Sequence, residues 1–84
     1  MSRLIPSAER IRRAYQLIQQ TRDLPIPPGG RFDLNYIAEV KARLREAREL
    51  VKLIPKTPTA SEEMKAEVQR IYEETEQVDR ELLH

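Results

Sequence analysis

The side chains able to do chemistry in this chain are few and awkwardly placed. Its single histidine is His84, the final residue, and it has no cysteine. A histidine at a chain end is expected to be mobile. A Cys–His dyad or a Ser–His–Asp triad needs its base held inside the fold, so neither can be assembled here. Gly29-Gly30 is not followed by the GK[ST] or GxGxxG pattern of a phosphate loop. Glu63, Glu67, Glu73, Glu74 and Glu76 crowd the last third, but a di-metal carboxylate bundle also draws on Glu-x-x-His pairs, and there are none. These glutamates are expected to form a solvated acidic face. No catalytic residue, metal site, cofactor or small-molecule substrate is expected, and the chain reads as a non-enzyme.

Two clusters point to binding instead. Arg3, Arg10, Arg12 and Arg13 are candidate phosphate-binding residues, because the guanidinium fork matches phosphate geometry and gives salt-sensitive binding. Against that, residues two apart on a helix do not share a face, and Glu9 can neutralise Arg12 or Arg13 locally. The first connection is also too long for a helix-turn-helix. The second cluster, Arg22-Asp23-Leu24-Pro25-Ile26-Pro27-Pro28, has the [RK]-x-x-P-x-x-P spacing of a polyproline II ligand. Its plainer alternative is a stiff connector whose Leu24 and Ile26, with Phe32, cap the end of a bundle. The sequence leaves open whether loop 23–30 docks a partner or only connects.

The elements that must position these residues are helices. Pro25, Pro27 and Pro28 interrupt any helix, as does Pro55. Between the breaks, apolar residues recur three and four apart. Helix one is expected over 7–22, capped by Ser7, with Ala8, Ile11, Tyr15 and Ile18 inward and Leu4 and Ile5 folding back as a staple. Helix two is expected over 34–54 behind an Asp33 cap. Its stripe is Ile37, Val40, Leu44, Ala47, Val51 and Ile54, widened by Leu34, Leu50 and Leu53. Helix three is expected over 60–83, with Thr59 and Glu62 forming a capping box. Met64, Val68, Ile71, Val78 and Leu82 make its heptad seam, with Thr75 as a polar member of the kind that specifies register or partner.

The predicted fold is all-α: one domain over 1–84, a three-helix bundle built on a long antiparallel hairpin of helices two and three. Charge is segregated, with six arginines against two carboxylates in residues 1–32 and eight carboxylates against three basic side chains in 59–84. The simplest account is that the acidic third packs beside the basic first. No apolar run approaches the roughly 20 residues that span a bilayer. Together with the absence of cysteine, this suggests a cytoplasmic protein without a membrane partner. The expected function is a non-catalytic helical interaction module, meaning an oligomerisation module, adaptor or small subunit. It would pair with another protein or with itself, as a homo-oligomer, through Ile37, Val40, Leu44, Val51, Met64, Val68, Ile71, Val78 and Leu82. The alternative is a nucleic-acid-associated protein using the Arg-rich first helix.

Overall fold

A computed structural model describes residues 6–84, and the Arg3, Leu4 and Ile5 expectations lie outside that range. Three α-helices pack against one another: α1 (Ser7–Arg22), α2 (Leu34–Val51) and α3 (Glu62–Leu83). Short 3₁₀ turns, Gly30–Phe32 and Ile54–Lys56, punctuate the two connections. There is no strand among the described residues. The all-α three-helix bundle is therefore the fold of this chain.

Helix ends follow local chemistry, with three corrections to the expected boundaries. Helix α1 is capped by the extended residue Pro6, whose carbonyl accepts the Arg10 N–H at 3.0 Å; the Ser7 hydroxyl makes no capping bond. Helix α2 stops at Val51, three residues before the expected end. A proline disfavours helical backbone at the residue before it and clashes with the carbonyl four residues back, which for Pro55 is that of Val51. The chain tightens into 3₁₀ geometry there, with Lys56 N–H donating to the Leu53 carbonyl at 3.1 Å. Helix α3 begins at Glu62, capped by Ser61 and not by Thr59. Pro58 seeds a turn closed by the Ala60 N–H on the Thr57 carbonyl at 3.1 Å, which delays the helix. Ser61 Oγ then accepts the Met64 N–H at 3.1 Å.

The helices run up, down and up. Arg10 reaches the Leu50 carbonyl and Arg43 reaches Gln20, so α1 and α2 are antiparallel. Tyr15 meets Glu67 and Arg22 meets Glu81, so α1 and α3 are parallel. The α1–α2 pairing is the most extensive, and α3 lies across both about equally. The principal scaffold is thus that first pair, with the α2–α3 hairpin completing it. The core is Ala14 and Ile18 of α1, Tyr36, Val40, Leu44, Ala47 and Val51 of α2, Ile54, and Val68, Ile71 and Val78 of α3.

Acidic α3 does pack beside basic α1 at specific contacts. Arg22 bridges Glu81 at 2.5 Å and Glu74 at 3.6 Å. The Tyr15 hydroxyl donates to Glu67 Oε2 at 2.6 Å. Burial, reinforced by the Glu67 carboxylate, pushes the Tyr15 phenol up to about 12. The fold thus favours the protonated phenol. Its contribution to stability is intact below the ordinary tyrosine range near pH 10 and is lost as pH rises through about 12. A phenolate absorbance titration should show a component with its midpoint near pH 12 that Tyr15→Phe removes. If all phenolate signal develops before pH 11 in the folded protein, the burial of Tyr15 and its hydrogen bond to Glu67 are not as described.

Candidate interaction surface

The residues of the α1–α2 connection build the most distinctive surface of the molecule. Helix α1 ends with Asp23 and Leu24 N–H groups returning to the Gln19 and Thr21 carbonyls. Three prolines then carry the chain outward without donors. Gly30 turns it back in the left-handed region, at φ +76°, where a side chain would be strained. Gly30 N–H closes on the Pro27 carbonyl at 2.8 Å, and Asp33 N–H on the Gly30 carbonyl at 3.2 Å. Asp33 Oδ1 then accepts the Asn35 and Tyr36 N–H groups at 2.9 and 3.1 Å, starting α2.

This connection is pinned to the end of α3. Leu24 packs on the core, Arg22 holds Glu81, and Arg31 Nη1 donates to the Glu81 backbone carbonyl at 3.2 Å. The Gln77 amide and the Arg22 guanidinium hold the Glu81 carboxyl below its ordinary range, so the pin is charged at neutral pH. On this connection sit Phe32, 86% exposed, and Ile26, 55% exposed, with Leu34, 81% exposed, at the first position of α2. One exposed leucine is ordinary, whereas three large apolar side chains exposed within nine residues are uncommon. Beside them opens a shallow cleft lined by Leu24, Pro25, Pro27 and Tyr36, with Asp33 and Glu39 also on its wall.

The residues expected to act have different fates. Val40, Leu44, Val51, Val68, Ile71 and Val78 are buried against one another within a single chain. Met64 and Leu82 are half-buried and pack on that cluster. Ile37 is half-buried outside it, because Tyr36, one position earlier, takes the inward place. Thr75 is buried, yet its hydroxyl donates to the Tyr72 carbonyl at 2.8 Å, so it needs no partner to satisfy it. The arginines of α1 are committed locally. Arg12 and Arg13 both contact Glu9, and Arg10 donates to the Leu50 carbonyl at 3.3 Å. The Arg12 hydrogen bond, with the Arg13 contact, holds Glu9 below the ordinary carboxylate range. Arg22 of the proline motif is paired with Glu74 and Glu81 of α3.

Ile26 and Phe32 do not cap the bundle, contrary to the connector expectation; only Leu24 does. Leu34 and Leu53, counted into the α2 stripe from their spacing, lie on the outside. Compositional contrast could have found this face: Phe32 and Leu34 stand beside the Asp33 cap, where the inward register has not yet begun. No group of three metal-ligating side chains occurs among the described residues, and none of their helices is long and apolar enough to cross a membrane. No known protein family, curated protein or solved structure matches the chain.

Proposed function

We propose that this chain is a non-catalytic protein–protein interaction module, and that its docking face is the α1–α2 connection. The observation that carries this reading is the exposure of Phe32, Leu34 and Ile26 in and beside a connection that Arg22 and Arg31 tie to α3 and Leu24 ties to the core. A tethered backbone has less conformational freedom to lose on binding, which favours its side chains as anchors. Six of the nine seam residues are buried in the chain's own core, and only Ile37, Met64 and Leu82 keep part of their surface exposed.

The test is a photo-crosslinking amino acid placed at position 32 in cells. The docking reading expects one discrete adduct, lost when Leu34→Asp is added. The absence of any discrete adduct would remove it.

A second reading, polyanion binding, is favoured by a different observation. Lys41, Arg45, Arg48 and Lys52 follow one another along α2 at spacings of four, three and four, all exposed. This stripe is better presented than the α1 arginines, although Lys52 pairs with Glu49 at 2.6 Å. Association with duplex DNA or RNA that weakens steeply with salt, and weakens again in Arg45→Glu, supports it. Binding that is absent, or indifferent to salt, ends it.

A further inference from the structure

The cations of α2 are used differently from those of α1. At about 100° per residue, Lys41, Arg45, Arg48 and Lys52 fall within about 60° of the helix surface, and Leu34 and Ala38 share that side. All six residues are exposed. No carboxylate of α2 lies within this arc; Glu49 stands at its edge, where it holds Lys52 at 2.6 Å. Lys41, Arg45 and Arg48 make no hydrogen bond or ion pair among the described residues. Arg10, Arg12, Arg13 and Arg22 of α1, by contrast, are each engaged within the chain.

We infer that this stripe binds the phosphate backbone of a nucleic-acid duplex without regard to base sequence; this deepens, and rests on, the polyanion reading above. From Lys41 to Lys52, at about 1.5 Å per residue, the stripe spans about 16 Å. One strand of a duplex advances about 3.4 Å per phosphate, so that length faces about four or five phosphates. The arc carries no aromatic side chain on which the bases of a single strand could stack. It also has no Asn or Gln to pair with an adenine edge. On its α3 flank, Glu76 and Asp79 line a shallow cleft together with Arg48 and Arg80. Sinking α2 into a groove would bring those carboxylates against phosphates. The helix therefore lies along the backbone, and its long side chains reach the phosphates without reading bases. With a net charge of only +1 on the whole chain, the attraction is local to the stripe.

The number of contacts fixes how binding responds to salt. Each neutralised phosphate of B-DNA contributes about −0.9 to the slope of log affinity against log salt. Four contacts give about −3.6, and three, if Glu49 keeps Lys52, give about −2.7. Raising salt from about 50 to about 200 mM should therefore weaken binding by about 40- to 150-fold.

Fluorescence anisotropy of the full chain with two labelled DNA duplexes of unrelated sequence reads this slope. The matching RNA duplex, a single-stranded DNA of equal length and polyaspartate serve as further probes. The two DNA duplexes should bind within about threefold of each other, as backbone contacts carry no sequence information. Of the DNA and RNA duplexes, the tighter binder identifies the natural form. The single strand and polyaspartate should bind more weakly than either. Arg45→Gln combined with Arg48→Gln should bring the slope about 1.8 closer to zero, while Arg12→Gln on α1 leaves it unchanged. Circular dichroism should show full helicity in each variant, because these side chains are exposed. Should the double variant lose helix, Lys41→Gln decides the matter, with an expected change of about 0.9. Tighter binding of the single strand, a marked preference for one duplex sequence, or binding of polyaspartate alone overturns the duplex contact and leaves the polyanion reading standing. A slope that the α2 substitutions do not move, or no salt-dependent binding to any probe, overturns both.

Discussion

Replacing Ile71 with aspartate should abolish the folded state at neutral pH. Ile71 has no exposed surface and lies where α3 meets the core formed by α1 and α2. Placing a carboxylate there removes a packed aliphatic side chain and offers the charge neither water nor a cation. The neighbouring core is Ala, Ile, Val and Leu, with the Thr75 hydroxyl already donated to Tyr72. Burying an unpaired charge costs several kcal/mol even after the group shifts towards its neutral form. A domain of this size has roughly 4–13 kcal/mol of total stability, at about 0.05–0.15 kcal/mol per residue. Far-UV circular dichroism should show the helical signal of Ile71→Asp collapse near pH 7 and recover in part as the carboxyl is protonated. A cooperative melt retained at pH 7, within a few degrees of the parent, would mean that Ile71 is not a core residue.

The contrast between two leucines of one helix is the second large effect. Leu44 and Leu34 are both apolar members of α2, and their spacing alone gives no reason to treat them differently. Leu44 is 2% exposed and Leu34 is 81% exposed. Leu44→Ala should cost about 2–5 kcal/mol, through lost transfer free energy and the cavity left behind. At about 4–8 °C per kcal/mol for a domain of this length, the melting temperature should fall by roughly 10–30 °C. Leu34→Ala should stay within about 0.5 kcal/mol of the parent, as surface substitutions usually do. Chemical denaturation of both variants, with unchanged m-values, checks the pair. Comparable losses in the two would show that α2 is rotated relative to the bundle described here.

That contrast marks where sequence reasoning fails. A period of three and four identifies a helix and gives the direction of its apolar face, but not how far around the cylinder the neighbours reach. Tyr36 is buried and Ile37 is not, because the edge of the covered arc falls between two adjacent residues 100° apart. An aromatic side chain reaches further across that edge than a branched aliphatic one. Leu53 was misplaced for a different reason. It lies beyond Val51, where the helix has already stopped for Pro55, so its helical phase no longer applies. Thr75 resembled a partner-specifying polar residue only because its acceptor, the Tyr72 carbonyl, belongs to its own helix and leaves no trace in a pattern of apolar spacings.

The number of helices, their approximate breaks and the antiparallel hairpin of α2 and α3 were determined by sequence alone; the antiparallel pairing of α1 with α2 came only from the structure. These features depend on interactions within a few residues: prolines without donors, the Asp33 cap, and apolar positions three and four apart. The local pairing of Glu9 with Arg12 and Arg13 was legible in the same way. Only the tertiary structure decided what the seams and the arginines do. The seams face one another within one chain, because α3 can lie over both α1 and α2 and bury all three stripes at once. Arg22 pairs with Glu74 and Glu81, more than fifty residues away, a pairing that no local pattern announces. The same long-range contacts pin the α1–α2 connection and leave Phe32 and Leu34 in water. Which apolar residues remain exposed is settled by which faces the neighbouring helices cover, and that depends on packing in three dimensions.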